Sequence, residues 1–201
     1  VDLNMFAPRE KPQDLVDKYS LKDKNVLLFV GRLDNDKGVI ELIEIFNSYY
    51  KTNNNARLVC IGKSTISTGL DNRLKHRCGE LNIDDKVIFI PSIPFNDMPK
   101  YYNLADIYIS PQHYPQQFDF AMLEALASGL PLISMNMGGA RDFIETTNNG
   151  YLCESYNEFT EAIKMCRYEH LKFRSRQIAE QYFSKEVVAK KVKEIYERVL
   201  S

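Results

Sequence analysis

The sequence lacks a charge excess, a long apolar run and paired cysteine motifs, and each absence disfavours a class of protein. Its 26 Lys and Arg residues nearly balance 27 Asp and Glu residues, so the formal charge of -1 gives no global field for nucleic acid or an anionic membrane. None of its apolar runs reaches the length of a membrane span, and no signal peptide is visible. A local basic site is still compatible with this composition.

The cysteines are few and show no C-x-x-C spacing. Cys60, Cys78, Cys153 and Cys166 lie in apolar or helical contexts, which predicts buried free thiols in a reducing, cytoplasmic compartment. With 44% hydrophobic and 26% charged residues, the 201 positions have the composition of a single globular domain.

Short apolar runs alternate with longer segments of helical periodicity. The predicted strands are VLLFVG (26–31), RLVCIG (57–62), KVIFI (86–90), DIYIS (106–110) and LPLIS (130–134). The predicted helices between them are residues 38–50, 70–81, 96–105, 120–129 and 140–147. Because the strands are apolar throughout rather than alternating, both faces of the sheet should be covered. The pattern predicts a doubly wound, mainly parallel, Rossmann-like α/β sheet with helices on both faces.

The ends of the chain differ from this repeat. Residues 1–24 contain prolines and many polar side chains and are interpreted as an incoming linker. Residues 157–201 have no strand pattern and predict closing helices, the last beginning at Ser184. The whole chain, 1–201, is therefore predicted to be one domain.

In a parallel sheet, ligands bind at the carboxyl ends of the strands, so the residues after each strand are the candidates for chemistry. GRLDNDKG follows the first strand; Gly31 permits a close turn, while Arg32 and Lys37 offer donors for a diphosphate. The same spacing also fits surface ion pairs with Asp34 and Asp36. The P-loop and the G-x-G-x-x-G dinucleotide fingerprint are both absent.

Three other loops fall at the same predicted edge. Lys63 follows the second strand, the segment PSIPF (91–95) follows the third, and Gly138 and Gly139 follow the fifth. They can contact an anion, a planar base and a closely approaching ligand, respectively. A solvated lysine, a proline turn and an ordinary loop explain the same residues equally well.

The segment PQHYPQQFDFAMLEALASGLP (111–131) follows the fourth strand. A helix beginning near Asp119 would direct its positive end towards the ligand, and Glu124 lies one turn further along it. The neighbours of Glu124 are apolar, so this acid needs a partner, and a carboxylate suits the vicinal diol of a ribose. A solvated helix face is the alternative. His113 and Tyr114 lie at the same rim, where a histidine is more often a surface residue than a catalyst.

Taken in order, these motifs resemble the C-terminal, donor-binding domain of retaining glycosyltransferases of the two-Rossmann-domain (GT-B) fold, family 4. The matching segments are VDLNMFAP, VGRLDNDKGV, ARLVCIG, VIFIPSIPFNDMPKYYNLADIYISP, PQQFDFAMLEALASGLPLISMNMGGARDFI, NNGYL and FSKEVVAKKVKEIYE. They cover essentially the whole chain. The resemblance implies that an N-terminal, acceptor-binding domain is missing from this sequence and that VDLNMFAP is the link from it.

The family also implies roles for individual positions. Arg32 and Lys37 match the pair that holds the donor diphosphate during catalysis, and Glu124 matches the acid that binds the ribose hydroxyls. Backbone around Ile93 matches the segment that faces the base, whereas Phe120 and Ala121 fall where backbone amides approach phosphate and sugar. The implied donor-binding set is Gly31, Lys63, Ile93, Gln116, Phe118, Asp119, Phe120, Ala121, Glu124, Gly138 and Gly139.

The sequence departs from the family pattern just before this helix. The usual Glu-Gly-Phe-Gly reads Gln116-Gln117-Phe118-Asp119. Gln116 keeps hydrogen bonding to the transferred sugar but loses the charge, and the two missing glycines restrict the backbone. The departure implies either an unusual donor sugar or weakened transfer.

The resemblance therefore predicts retaining transfer of a sugar from a nucleoside diphosphate (NDP) sugar to a glycan or lipid acceptor. No cofactor, no essential metal and no nucleic acid partner are expected, and this domain alone is not expected to be competent. Peripheral association with the inner face of a membrane is compatible with the family. The alternatives are a degenerate nucleotide-sugar-binding module without transfer and, less favoured, an NDP-sugar epimerase.

Overall fold

The computed structural model of the chain describes residues 1–64, 70–115, 119–144, 149–166 and 170–200. Within these ranges, the strands are β1 (Asn25–Val30), β2 (Ala56–Ile61), β3 (Val87–Ile90), β4 (Ile107–Ser110), β5 (Leu132–Met135) and β6 (Gly150–Cys153). The α-helices are α1 (Gln13–Lys18), α2 (Val39–Thr52), α3 (Leu70–Glu80), α4 (Met98–Leu104), α5 (Phe120–Ala127), α6 (Ala140–Ile144), α7 (Phe159–Met165), α8 (His170–Ile178) and α9 (Lys185–Leu200). A π-helical turn, Ala179–Phe183, joins α8 to the last helix.

The described strands form one parallel sheet in the order β3-β2-β1-β4-β5-β6. The order reverses between β1 and β4, because the chain first builds outwards to β3 and then returns to the other side of β1. At such a switch point, the loops after the two strands diverge and leave a crevice. The fold class predicted from the sequence is confirmed, and the switch point lies between the turn of Lys37, after β1, and the segment that leads from β4 into α5, the helix of Glu124.

The sheet is covered on both faces, as its apolar strands predict. Along β4, Tyr108 belongs to one apolar cluster, with Tyr102 and Leu126, whereas Ile107 and Ile109 belong to the cluster on the opposite face. All four residues of this strand are buried, so no position is left for the polar alternation of a half-exposed strand.

The helices and strands predicted from the pattern are present within a few residues, and the structure adds β6. The short run GYLC, in which three residues are only half-buried, has too weak a hydrophobic signal to identify a strand. Residues 145–147 of the predicted 140–147 helix lie outside the described residues. Ser184 begins the last helix as predicted, since its Oγ accepts a hydrogen bond from the Val187 N–H at 3.1 Å.

The predicted linker at the start of the chain contains a helix and packs on the core. Phe6, Leu15, Val16 and Leu21 are buried in the cluster that contains Tyr102. Its role as a connection from a preceding domain stays a prediction.

At the other end, α9 contacts the π-helical turn but buries none of its residues. None of the helices in the described ranges combines the length and the apolar character that crossing a bilayer requires.

The cysteines are buried free thiols, as predicted. Burial raises the pKa of Cys78 to about 11 and that of Cys153 to about 12, so both stay protonated near neutral pH. They are packing residues rather than nucleophiles.

Candidate functional site

The loop after β1 holds Arg32 in a network of acids. The Arg32 guanidinium contacts Asp34 at 2.6 Å and Asp36 at 2.7 Å. Asp34 is buried and also accepts a hydrogen bond from Ser64 Oγ at 2.8 Å. Arg32 therefore makes the ion pairs that the spacing of this loop allows, and an incoming phosphate would compete with two carboxylates for it. Gly31, which precedes Arg32, continues the pairing of β1 with β2, because its N–H donates a hydrogen bond to the Ile61 carbonyl oxygen.

Lys37 is held by a different kind of partner. Its ammonium lies 3.3 Å from Oε1 of Gln112, a neutral acceptor that directly follows β4 and Pro111. Partial burial lowers the pKa of Lys37, while the negative charges of Asp119 and Asp36 act in the opposite direction. This contact joins the loops after β1 and β4 across the switch point.

Gly38 fixes the distance between the same two loops. Its φ of +67° is the left-handed conformation that favours glycine, and a Cβ here would lie 2.2 Å from the Pro111 carbonyl oxygen. The turn that ends with Lys37 therefore packs directly on the backbone that carries Gln112.

Asp119 caps the helix that faces the crevice. Its Oδ1 accepts hydrogen bonds from the N–H groups of Ala121 at 3.0 Å and Met122 at 3.2 Å. The Asp119 carboxylate thus occupies two backbone N–H donors at the N-terminus of α5. One of them belongs to Ala121, whose amide was predicted to approach the phosphate and the sugar. Burial raises the pKa of Asp119, and these N–H groups together with Lys37 oppose that shift. The Phe120 ring next to it is 70% exposed.

Glu124 lies on the same helix and has a partner within the chain. Tyr102, a fully buried residue of α4, donates its hydroxyl hydrogen to Glu124 Oε2 at 2.8 Å. Burial is the main cause that raises the pKa of Glu124; the Tyr102 hydrogen bond lowers it, and the Asp119 charge raises it further. The acid on an apolar helix is therefore satisfied by a tyrosine, and because it is only half-buried it can also accept a hydrogen bond from a ligand.

A separate cavity of about 240 Å³ lies at the ends of β1, β2 and β3. Its lining residues are Leu33, Gly62, Lys63, Ser64, Lys75, Phe89, Ile90 and Pro91. Lys63 thus lies at the carboxyl edge of the sheet, and its contact with the donor stays a prediction. The Ile93 side chain packs half-buried against the apolar cluster that contains Tyr102, and the contact of the backbone around it with the base stays a prediction.

The remaining candidates follow β4 and β5. Gly138 and Gly139 form the turn before α6, with Gly138 at a φ of +54°. Nδ1 of His113 lies 3.1 Å from the hydroxyl of Tyr156, a residue that follows β6, so this histidine bridges two loops of the same edge. Gln116 and Phe118 lie outside the described residues, and their predicted contacts with the sugar stay predictions.

Reasoning from the sequence missed Gln112, Tyr102 and Ser64 as parts of the site. Gln112 could have been predicted, because it is a polar residue two positions after a predicted strand and lies at the edge of the sheet where ligands bind. Tyr102 carries no such signal: it belongs to a helix and reaches Glu124 only through tertiary packing.

Comparison with known proteins identifies the family of the chain. The family described as "Glycosyl transferases group 1" matches residues 11–185. Spore coat protein SA of Bacillus subtilis is 28% identical over 98% of this chain and 57% of its own length. The putative glycosyltransferase YtcC of the same organism is 29% identical over 100% of this chain and 53% of its own length. The chain therefore spans about half the length of these relatives.

Solved structures show the same fold. Anabaena Alr3699/HepE, crystallised with UDP and glucose, superposes with a TM-score of 0.86 at 20% identity, over 98% of this chain and 55% of that one. The C-terminal domain of the group 1 family protein LpcC from Francisella tularensis gives a TM-score of 0.77 at 24% identity, covering 92% and 99% of the two chains. On the family match, which covers most of its length, the chain belongs to the group 1 glycosyltransferases.

Proposed function

We propose that this chain is the donor-binding domain of a retaining glycosyltransferase that moves a sugar from a nucleoside diphosphate sugar to a glycan or lipid acceptor. The observation that carries the proposal is the arrangement at the switch point between β1 and β4, where the Lys37 ammonium follows β1 and the half-buried Glu124 carboxylate lies in the helix after β4. A cation for phosphate and an acid for a diol are the groups that a nucleotide needs there.

The donor is proposed to be a uridine diphosphate sugar. HepE has been crystallised with UDP-glucose, and the pneumococcal O-GlcNAc transferase GtfA with UDP and GlcNAc. Both share this fold with TM-scores of 0.86 and 0.75. The cavity beside Lys63 and Phe89 is the proposed position of the base, since it offers apolar walls next to the crevice.

Lys37 and Arg32 are proposed to stabilise the leaving diphosphate. As the bond between sugar and phosphate breaks, negative charge grows on the phosphate, and fixed cations favour that state over the ground state. The acceptor is proposed to bind on a second domain, in the part of the relatives' length that this sequence does not span, and residues 1–201 alone are proposed to bind the donor without completing the transfer.

The test is calorimetric titration of UDP into the wild-type chain and the variants Lys37→Ala and Arg32→Ala. Each loss of a charged hydrogen bond should weaken binding by about 10- to 100-fold. Lys193→Ala, which removes an exposed cation on α9, is the control and should bind like the wild type. If both site variants kept the wild-type affinity, the assignment of the diphosphate would be lost.

A degenerate binding module without transfer is the second candidate. It is favoured by Asp119, whose carboxylate occupies helix N–H donors, and by Gln116, which replaces an acid of the family pattern. A panel of UDP-, GDP-, ADP- and dTDP-sugars, assayed for sugar release with the full-length protein, separates a transferase from a binding module. Binding of a donor without any turnover would support the module.

A further inference from the structure

The two cations of the crevice are held by partners of different strength. Arg32 contacts two carboxylates at 2.6 and 2.7 Å, whereas Lys37 contacts the amide oxygen of Gln112 at 3.3 Å. Two opposite full charges attract each other more strongly than a charge and a neutral amide do, and the Arg32 contacts are also the shorter ones. Lys37 is therefore the cation that changes partner more easily when a phosphate arrives.

Gln112 is held in place from two directions. The residue is only 2% exposed, and its backbone follows Pro111, whose carbonyl oxygen packs against Gly38. The amide oxygen therefore has little freedom relative to the turn that carries Lys37. A polar side chain buried to this degree normally has a hydrogen-bond partner, and here the partner is the ammonium.

The amide directs the ammonium without neutralising it. A lysine ammonium has three donors, and one bond to Gln112 leaves the others for phosphate oxygens. A carboxylate at this position would cancel the charge, and an apolar side chain would leave the flexible lysine stem free to move. Partial burial already lowers the pKa of Lys37, so an acceptor that favours the charged form also helps to keep the site cationic.

We propose that Gln112 is a positioning residue that holds the Lys37 ammonium in the crevice for the donor diphosphate. The inference rests on the proposed function, in which Lys37 binds that diphosphate. The proposal predicts that Gln112 affects the affinity for the diphosphate only when Lys37 is present.

A double-mutant cycle tests this prediction with the diphosphate that binds best among UDP, GDP, ADP and dTDP. Gln112→Met keeps the length of the side chain but removes the acceptor, and it should weaken binding by roughly 5- to 10-fold, the usual value of one hydrogen bond. In the Lys37→Ala background, the same substitution should change the affinity less than about twofold, because no ammonium is left to position. Equal losses in both backgrounds, or no loss in either, would overturn the proposal.

Two further measurements keep a folding defect apart from a loss of positioning. The matching nucleoside, which lacks phosphate, should bind the wild type and Gln112→Met equally, whereas a distorted crevice would weaken both ligands. Gln112→Glu, of nearly identical shape, should weaken diphosphate binding too, since its carboxylate pairs with Lys37 and repels phosphate. Tighter diphosphate binding by Gln112→Glu would contradict the proposal. Gln181→Leu, at an exposed glutamine, is the control and should bind like the wild type.

The same data distinguish failure of this inference from failure of the proposed function. If Lys37→Ala loses affinity and Gln112→Met does not, the positioning role is wrong and the donor site stands. If the wild type binds none of the diphosphates, both are wrong.

Discussion

Glu124 accepts a hydrogen bond from Tyr102 through one carboxylate oxygen while the residue stays half-buried at the crevice. The arrangement answers why an acid is found on an otherwise apolar helix. The tyrosine offsets the cost of burial, and the raised pKa of Glu124 shows that the offset is incomplete. A group kept in a partly unfavourable state is a common sign of a functional role.

Glu124→Gln is expected to weaken UDP binding by about tenfold, because the amide keeps one acceptor but loses the charge that strengthens a bond to the ribose hydroxyls. The comparison ligand is 2′,3′-dideoxy-UDP, which lacks both hydroxyls. It should bind the wild type and the variant with equal affinity in calorimetry. An equal loss for both ligands would show that Glu124 supports the fold of the crevice rather than the ribose.

Asp119→Asn is expected to raise the stability of the fold at neutral pH. Asparagine caps helices about as well as aspartate, so the change removes mainly the half-buried charge. Because the pKa of Asp119 is raised in the folded state, ionisation costs stability, and this cost appears as pH rises through the folded pKa. Thermal unfolding should give a higher midpoint than the wild type at pH 7 and no difference well below the usual pKa of aspartate.

Asp85→Asn is the control, because the pKa of Asp85 is shifted in the opposite direction to that of Asp119. A hydrogen bond from Lys86 lowers the pKa of the exposed Asp85, so its ionised form is favoured in the folded state. This variant should gain no stability at pH 7. A gain in both variants would indicate a general effect of net charge rather than the burial of Asp119.

The strands and helices that could be predicted are those whose pattern reflects burial. Apolar runs without alternation predicted the first five strands of the chain: four of them are central and covered on both faces, and the edge strand β3 is equally apolar in sequence, VIFI. β6, at the other edge, was missed because its short run GYLC begins with a glycine and has a weaker apolar signal than VIFI, and α1 was missed because Pro12 at its start is typical of a loop as well as of a helix beginning.

Gly150 gives this edge strand a specific test. A Cβ at this position would lie 1.9 Å from the Leu132 carbonyl oxygen of β5, so the backbone of one of the two paired strands would have to shift. Gly150→Ala is expected to cost about 2–3 kcal/mol, which corresponds to a drop of about 5–10 °C in the thermal midpoint.

Gly79→Ala is the matched control. This glycine lies in α3 with nothing within 4 Å of an added Cβ, and alanine has a higher helix propensity. The control should therefore be neutral or stabilising by up to about 1 kcal/mol. If both substitutions had the same effect, the pairing of β6 with β5 would not depend on Gly150.

At the scale of the whole molecule, the candidate site joins residues from distant parts of the chain. Lys37 meets Gln112 across 75 positions, and Tyr102 meets Glu124 across two helices. The loop after each strand could be predicted from the rule that ligands bind at the carboxyl edge. Which side chains touch could not, because the contacts depend on the turn at Gly38 and on packing between helices.

Arg176 binds the N-terminal segment, residues 1–9, through hydrogen bonds to its backbone. Its guanidinium donates to the carbonyl oxygens of Leu3 at 3.2 Å, Phe6 at 2.8 Å and Ala127 at 3.0 Å. The Phe6 ring, which this anchor holds in the core, packs edge-on against Tyr102. One side chain of α8 thus joins the first residues of the chain to the end of the helix that carries Glu124.

Arg176→Met is expected to release residues 1–9 while the sheet stays folded. Methionine keeps much of the apolar contact but removes the donors, so three carbonyl oxygens lose a charged partner and the global stability falls by about 2–4 kcal/mol. Compared with the wild type, hydrogen exchange should become faster by a larger factor in residues 1–9 than in β1 or β4. Arg174→Met, at an exposed position of the same helix, should leave exchange unchanged. Unaltered protection of residues 1–9 in Arg176→Met would mean that the buried Phe6, and not the arginine, holds the segment in place.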